Sequence, residues 1–186
     1  MPELPEITIF WRHFVVRRTM LDAVIRCLFL PRAFDPEIGG SRGQTVKFVS
    51  RIGKQIEWEP SGDLWMVFHL MITGRFHWRK PGTKPSRKVD LAAFSFENGI
   101  PLLTKAGSKK RASIHLHRGS ESLEMHARRG LDVFDCTVEE FQVRLQRQNR
   151  TLKKALVDPW LFDGIGNTCS DEILHVAKLS PMEWTQ

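Results

Sequence analysis

The chain has few cysteines, no N-terminal pattern typical of a signal peptide and no long hydrophobic run. Its three cysteines, Cys27, Cys136 and Cys169, are scattered, which excludes a four-cysteine zinc ribbon and favours reduced thiols in a cytosolic compartment. No stretch approaches the roughly 20 apolar residues that span a bilayer. Glu3 and Glu6 stand where a signal peptide needs positive charge followed by an apolar run. These absences predict a cytoplasmic protein with no membrane partner.

Positive charge is what the chain has in excess. It contains 28 Lys and Arg residues against 21 Asp and Glu residues, a formal net charge of +7 over 186 residues. This balance favours a polyanionic partner, because counterion release from phosphates contributes to affinity. The charge is also compatible with an ordinary basic protein, so it favours a nucleic acid only modestly.

The first two thirds of the sequence predict one helix followed by strands. Residues from Leu4 to Arg18 follow helical spacing, and Pro5 is tolerated in the first turn. Strand patterns and turn signals then alternate, which favours a β-sandwich or barrel. The basic segment RKPGTKPSRK is interpreted as an exposed hairpin tip. The predicted strands are AVIRCLFL, QTVKFVSRI, KQIEWEP, LWMVFHLMI, GRFHWRK, VDLAAFSF and ASIHLH.

The remainder of the sequence predicts helices. Thr137 and Glu140 have the spacing of a capping box, and an apolar stripe follows over 138–145. RTLKKALVD predicts a second helix that ends at an Asp-Pro pair, and TCSDEILHVAKL predicts a third. We therefore predict an α+β protein, with a β-sandwich domain over 1–130 and a small helical module over 131–186.

The amine of Pro2 is the most reactive group that the sequence offers, provided that Met1 is removed. An α-amino group titrates near pH 8, so part of it is nucleophilic at neutral pH. A secondary amine that attacks an aldehyde-like sugar carbon forms an iminium ion, which favours elimination, and Glu3 is placed to move protons. Alternatively Pro2 and Pro5 simply begin a helix, and these residues alone favour that second interpretation.

Four further segments have the composition of phosphate or base contacts. Lys54 follows a glycine between two strands, and GIGNTCSDEIL places glycines and Asn167 at a helix N-terminus, which favours anions. HLMITG places Met71 or Ile72 at a strand end, where an apolar side chain can enter an opened base stack. Taken singly, each segment is more typical of an ordinary surface lysine, a turn between helices or a buried core strand. The fourth segment, AGSKKRASIH, is basic through Lys109, Lys110 and Arg111.

In this order, the segments MPELPE, RIGK, HLMITG, RTLKKALVD and GIGNTCSDEIL resemble the Fpg/Nei family, the formamidopyrimidine-DNA glycosylases and their endonuclease VIII relatives. The resemblance runs from residue 2 to about residue 181. It implies a two-layer β-sandwich that carries the N-terminal helix, and a helical domain with a helix–two-turn–helix motif. It also implies a monomer that excises oxidised bases from double-stranded DNA, acts on abasic sites and cuts by β,δ-elimination without a cofactor.

The resemblance also implies roles for individual residues. Pro2 would be the Schiff-base nucleophile, Glu3 the proton donor and Glu6 a supporting carboxylate. Lys54 would belong to the catalytic set as well as to the DNA contacts, because it would hold the phosphate beside the lesion. The DNA contacts would be Lys54, His69, Met71, Ile72, Lys153 and Asn167.

The sequence also departs from the family pattern. Ile72 stands where the family inserts a methionine into the void left by the flipped nucleotide. AGSKKRASIH replaces the usual Asp-Pro-Arg-Arg-Phe segment, so that Lys109, Lys110 or Arg111 would substitute. The sequence ends at PMEWTQ, before the finger of the relatives. We expect either a natural short form or a truncated product of a longer gene, with no zinc and with weakened DNA binding. A weakly active damaged-DNA-binding module, and a nucleic-acid-binding protein of the translation machinery, remain as alternatives.

Overall fold

The computed structural model describes residues 27–29, 41–71, 73–86, 88–105, 112–119, 121–122 and 130–186. These residues fall into two compact units, one formed by the described residues up to 122 and one by residues 130–186. The helix predicted from Leu4 to Arg18 lies outside the described residues.

The first unit is built from two four-stranded antiparallel sheets. Its described strands are β1 (Cys27–Phe29), β2 (Val46–Ile52), β3 (Gln55–Pro60), β4 (Leu64–His69), β5 (Gly74–Arg79), β6 (Asp90–Ser95), β7 (Ile100–Lys105) and β8 (Ser113–Arg118). One sheet has the order β2-β3-β4-β8 and the other the order β1-β6-β7-β5.

An aromatic core joins the two sheets. Trp58 of β3 and Phe68 of β4 meet Phe94 of β6 edge to face, with ring centroids 4.9 Å and 5.5 Å apart. Phe76 of β5 lies against Trp58 with the ring centroids 5.8 Å apart. All four side chains are at most 4% exposed. Burial of one such side chain contributes about 1.5–3 kcal/mol, so these contacts hold the sheets together. The predicted β-sandwich and α+β class are confirmed.

Strand β7 is absent from the strands that the sequence predicts. Pro101 interrupts its apolar run, and proline is disfavoured inside a sheet. The strand nevertheless lies between β6 and β5, with Ala93 opposite Leu102 and Trp78 opposite Pro101. Strands β5 and β6 are therefore not neighbours. The interpretation of RKPGTKPSRK as a hairpin tip is wrong, because this loop connects two strands that β7 separates.

The second unit contains the predicted helices. Its described elements are β9 (Leu131–Asp132), α1 (Val138–Leu145), α2 (Leu152–Leu156), β10 (Phe162–Asp163) and α3 (Asn167–Ala177). The capping box is confirmed, since the Glu140 amide donates to Thr137 Oγ1 at 3.2 Å and the Thr137 amide donates to the Glu140 carboxylate at 2.9 Å. Phe141 stacks on Phe162 with ring centroids 4.5 Å apart. The predicted apolar stripe is wrong at Val138, which is 77% exposed.

The last residues of the chain complete the first turn of α2. The Leu152 amide donates to the Glu183 carbonyl at 2.8 Å. The Thr185 hydroxyl donates to the Gln148 carbonyl at 2.8 Å, and Thr185 is buried. The first amides of a helix have no acceptor within the helix, so this closing segment, Pro181–Gln186, supplies an acceptor that α2 lacks.

Candidate nucleic-acid interface

Lys54 lies at the tip of the β2–β3 hairpin. Ile52 is opposite Gln55, which leaves Gly53 and Lys54 as a two-residue loop. Gly53 has φ +52°, and two-residue hairpins need a positive φ at the first loop position. Arg51 Nη1 donates to the Gly53 carbonyl at 3.1 Å and braces the tip. The hairpin therefore presents a partly exposed lysine on a rigid support.

The HLMITG segment carries the chain from one sheet to the other. The strand predicted for LWMVFHLMI ends at His69, because the chain turns there and enters the second sheet at Gly74. The Gly74 amide donates to the Leu70 carbonyl at 2.8 Å, and a Cβ at Gly74 would lie 2.3 Å from that oxygen and 2.9 Å from the Ala112 methyl group. Met71 has φ +54°, which costs an L-residue about 1–2 kcal/mol. Strained backbone of this kind concentrates at functional sites.

The register of the first sheet brings the predicted DNA contacts of this unit together. Gln55, the neighbour of Lys54, is opposite His69, and His69 is opposite Ser113 at the start of β8. Adjacent strands are about 4.8 Å apart, so these residues share one end of the sandwich. We call it the crossover end; it comprises Gly53, Lys54, His69–Met71, Gly74, Ala112 and Ser113.

Several predicted site residues lie outside the described residues. They are Pro2, Glu3, Glu6, Ile72, Lys109, Lys110 and Arg111. The described residues on either side of the last three are Lys105, whose backbone is opposite Gly74, and Ala112. Both flanking positions therefore lie at the crossover end.

In the second unit the structure brings Lys153 and Asn167 together. Asn167 is the first residue of α3, and the residue before it, Gly166, has no side chain that accepts from the first amides. Lys153 Nζ donates to the Asn167 carbonyl at 2.7 Å, to Ser170 Oγ at 2.8 Å and to Asp171 Oδ1 at 2.5 Å. Lys153 is 24% exposed and Asp171 is 66% exposed. The predicted cation is thus bonded to the N-terminal turn of α3.

Ser170 and Asp171 are not among the residues that the sequence predicts for the site. They follow Asn167 by three and four positions, a spacing that places side chains on one helix face. This spacing in the sequence, together with the lysine of the preceding helix, is a signal by which Ser170 and Asp171 could have been identified. The distance between α2 and α3 that makes the contact possible is not readable from the sequence.

A buried carboxyl group on β3 was also not predicted. Glu57 is 4% exposed and accepts a hydrogen bond from the Ser50 hydroxyl. Burial raises the pKa of Glu57 above its ordinary value, the Ser50 hydrogen bond opposes this rise, and the neighbouring Glu59 charge adds to it. Its strand neighbours Ile56 and Trp58 belong to the core, so Glu57 lies on the other face of the sheet.

The described residues contain no group of three or more His, Cys, Asp and Glu side chains that could hold a metal ion. Within the same part of the chain, no helix is long and apolar enough to cross a membrane.

Solved structures share this architecture of a β-sandwich and a helical module. The Fpg (MutM) protein of Thermus thermophilus superposes with a TM-score of 0.81 at 26% identity, covering 99% of this chain and 67% of that one. Lactococcus lactis Fpg, solved with DNA that contains an oxidised pyrimidine, gives a TM-score of 0.84 at 24% identity, covering 99% and 71%. At that identity the second likeness concerns the fold alone.

Sequence comparison identifies the family. The family model of the formamidopyrimidine-DNA glycosylase N-terminal domain matches residues 1–107. The formamidopyrimidine-DNA glycosylase of Ligilactobacillus salivarius is 30% identical over 193 aligned residues, covering 97% of this chain and 68% of that protein. That of Mycoplasma genitalium is 28% identical, covering 97% and 66%. The chain belongs to the Fpg/Nei family of base-excision-repair DNA glycosylases, and it spans about two thirds of the length of these relatives.

Proposed function

We propose that the chain is a base-excision-repair DNA glycosylase with abasic-site lyase activity, acting on damaged double-stranded DNA. The crossover end carries the proposal, because Lys54, His69 and Met71 share it on well-braced turns. A lysine supplies charge for a backbone phosphate, and a methionine supplies an apolar side chain for an opened base stack. The net charge of +7 supports the same polyanionic partner.

Pro2 is the nucleophile in this proposal. After removal of Met1, its secondary amine attacks C1′ of the damaged nucleotide, and an N–C1′ bond forms as the base leaves with the glycosidic electron pair and a proton. The proton that the base takes is the one that the amine loses. Glu3, supported by Glu6, then protonates the ring oxygen as the sugar opens, which gives the iminium ion. Loss of a C2′ proton then expels the 3′ phosphate. Loss of the C4′ proton in a second elimination expels the 5′ phosphate, and water then adds at C1′ and breaks the N–C1′ bond, which releases Pro2 and an unsaturated aldehyde.

The second unit contributes a further phosphate contact. The first amides of α3 and the exposed Asn167 side chain form an N-terminus of the kind that binds anions. Ile72, the residue after Met71 in the sequence, is proposed to enter the base stack. The cations proposed to fill the space beside the orphan base are Lys109, Lys110 and Arg111.

Borohydride trapping on duplex DNA with an abasic site tests the proposal. We expect the wild-type chain to form a covalent complex with the DNA on reduction. The complex should disappear when Met1 is retained, because the nitrogen of Pro2 is then part of a peptide bond, and it should decrease in Pro2→Gly. Pro5→Gly is the matched control, since it replaces a neighbouring proline and leaves the terminal amine in place.

The outcome also separates the enzyme from the alternative. Reversible binding of abasic-site DNA without any trapped complex would contradict the lyase and support a damaged-DNA-binding module. Absence of both binding and trapping would contradict the two functions together.

A further inference from the structure

The ammonium group of Lys153 is fully used within the second unit. An ammonium has three N–H donors. The structure gives these donors the Asn167 carbonyl, Ser170 Oγ and Asp171 Oδ1 at 2.7, 2.8 and 2.5 Å. Ser170 is completely buried, and its hydroxyl donates in turn to the Asn167 carbonyl at 2.8 Å. Two donors therefore converge on the backbone oxygen of the first residue of α3.

We infer that Lys153 is a positioning residue for the phosphate site of α3, acting through the N-terminal turn of that helix without binding phosphate itself. The inference rests on the proposed function and takes the place of the direct DNA contact that the sequence assigns to Lys153. By fixing the Asn167 carbonyl, Lys153 and Ser170 hold the first amides and the Asn167 side chain in one orientation before DNA arrives. Preorganisation of this kind strengthens binding because less conformational freedom is lost.

Direct phosphate binding by Lys153 would disrupt this arrangement. The ammonium would have to give up one of its three acceptors, which costs the free energy of a charged hydrogen bond. It would also bring the phosphate next to the Asp171 carboxylate, and like charges repel at such short separations. Both costs are avoided if the phosphate is bound by the amides and Asn167.

The backbone of Lys153 is held as well. Its amide donates to the Pro181 carbonyl at 3.3 Å. This hydrogen bond is next to the one that the Leu152 amide donates to the Glu183 carbonyl. The closing segment therefore holds the backbone of Lys153, while the ammonium group is bonded to α3. A cation at the N-terminus of a helix opposes the helix dipole, and Asp171 offsets that charge. The helix dipole therefore does not explain why the Lys153 ammonium lies at the N-terminal turn of α3. The orientation that its hydrogen bonds impose on this turn does.

Salt dependence of DNA binding by Lys153→Met tests the inference. We expect the dissociation constant for abasic-site duplex to rise roughly fivefold at every salt concentration, the loss of about one hydrogen bond. The slope of log affinity against log salt concentration should fall by no more than it does in the control variant Lys154→Met. A lysine that binds phosphate would instead reduce the slope by about 0.9. Lys154→Met is the matched control, because it removes the same charge from the next, exposed residue.

Ser170→Ala provides a test without a change of charge. We expect it to weaken DNA binding in the same direction as Lys153→Met, and the double variant to lose less than the two single losses combined. Unchanged or tighter binding by Ser170→Ala would overturn the inference, because a freed ammonium donor would then be serving the phosphate. A slope reduction near 0.9 beyond the control in Lys153→Met would overturn it equally.

Amide hydrogen exchange decides the matter without DNA. The Ser170 amide donates to the Gly166 carbonyl at 2.9 Å in the first turn of α3. We expect its exchange to be roughly fivefold faster in Lys153→Met than in Lys154→Met, since a bond of about 1 kcal/mol that holds this turn is lost. Equal exchange in the two variants would overturn the inference. A wild-type chain that fails to bind DNA would contradict the proposed function alone.

Discussion

The amide nitrogen of Gly74 lies 2.8 Å from the carbonyl oxygen of Leu70, and a methyl group on Gly74 would lie 2.3 Å from that same oxygen. We expect Gly74→Ala to lower the free energy of unfolding by about 1–3 kcal/mol, because backbone must move to admit the methyl group. Urea unfolding measures it. Gly82→Ala is the control: nothing lies within 4 Å, and only its φ of +81° opposes alanine. A smaller loss at Gly74 than at Gly82 would contradict the expectation.

Lys54→Met should weaken binding to abasic-site DNA and reduce the salt slope. If Lys54 holds one phosphate from the hairpin tip, the slope falls by about 0.9. Binding titrations between low and moderate salt measure the change. Lys47→Met removes the same charge from the far end of β2 and should leave the slope intact. Equal slopes for the two variants would show that Lys54 is not a phosphate contact.

The buried Glu57 predicts a pH dependence of stability. Burial raises its pKa in the folded state, so the folded chain keeps a proton that the unfolded chain releases. Stability therefore falls as the pH rises from about 4.5 toward the raised pKa, and it stays lower above that. We expect Glu57→Gln, which can still accept from Ser50, to be more stable than the wild type at pH 7. The advantage should vanish near pH 4.

Denaturant unfolding at pH 4 and pH 7 checks this dependence. Glu172→Gln, an exposed carboxylate on α3, is the control and should change stability at neither pH. If the wild-type chain is as stable as Glu57→Gln at pH 7, burial of the Glu57 carboxylate does not lower the stability of the folded chain.

Lys178 predicts a stabilising substitution. It ends α3 with φ +55°, and the next amide, that of Leu179, donates to the Leu174 carbonyl at 3.0 Å. Glycine adopts this conformation without steric cost, so Lys178→Gly should raise the free energy of unfolding by about 1 kcal/mol. Lys154→Gly, the same replacement inside α2, should lower it by about 1 kcal/mol. Thermal melting measures both changes. We expect the Tm to rise in Lys178→Gly and to fall in Lys154→Gly.

The helical module is largely predictable because its signals are local. The capping box of Thr137 and Glu140 and the Asp-Pro pair after α2 act within a few residues of the helix ends that they determine. Strand β7 escapes prediction because it is stabilised by β5 and β6 on either side, which outweighs the local preference of Pro101.

The sequence predicts which residues belong to the candidate site, but it does not predict how they are arranged in space. Lys54 and His69 are recognised from RIGK and HLMITG, but their proximity depends on the register that places Gln55 opposite His69. The partners of Lys153 depend on how closely α2 and α3 approach one another. A sequence pattern shows which side chains are present, and the contacts between non-adjacent elements decide which of them are free to meet DNA.

The closing segment makes the stability of α2 depend on residues far along the chain. Thr185 and Gln148 are 37 positions apart, and their bond joins the two ends of the module. Helix α2 has five residues, far fewer than the roughly 12–15 that an isolated helix needs. Its first turn therefore depends on the acceptor that the closing segment supplies. The formation of α2 and the docking of the closing segment are therefore coupled, and we expect the two to unfold together.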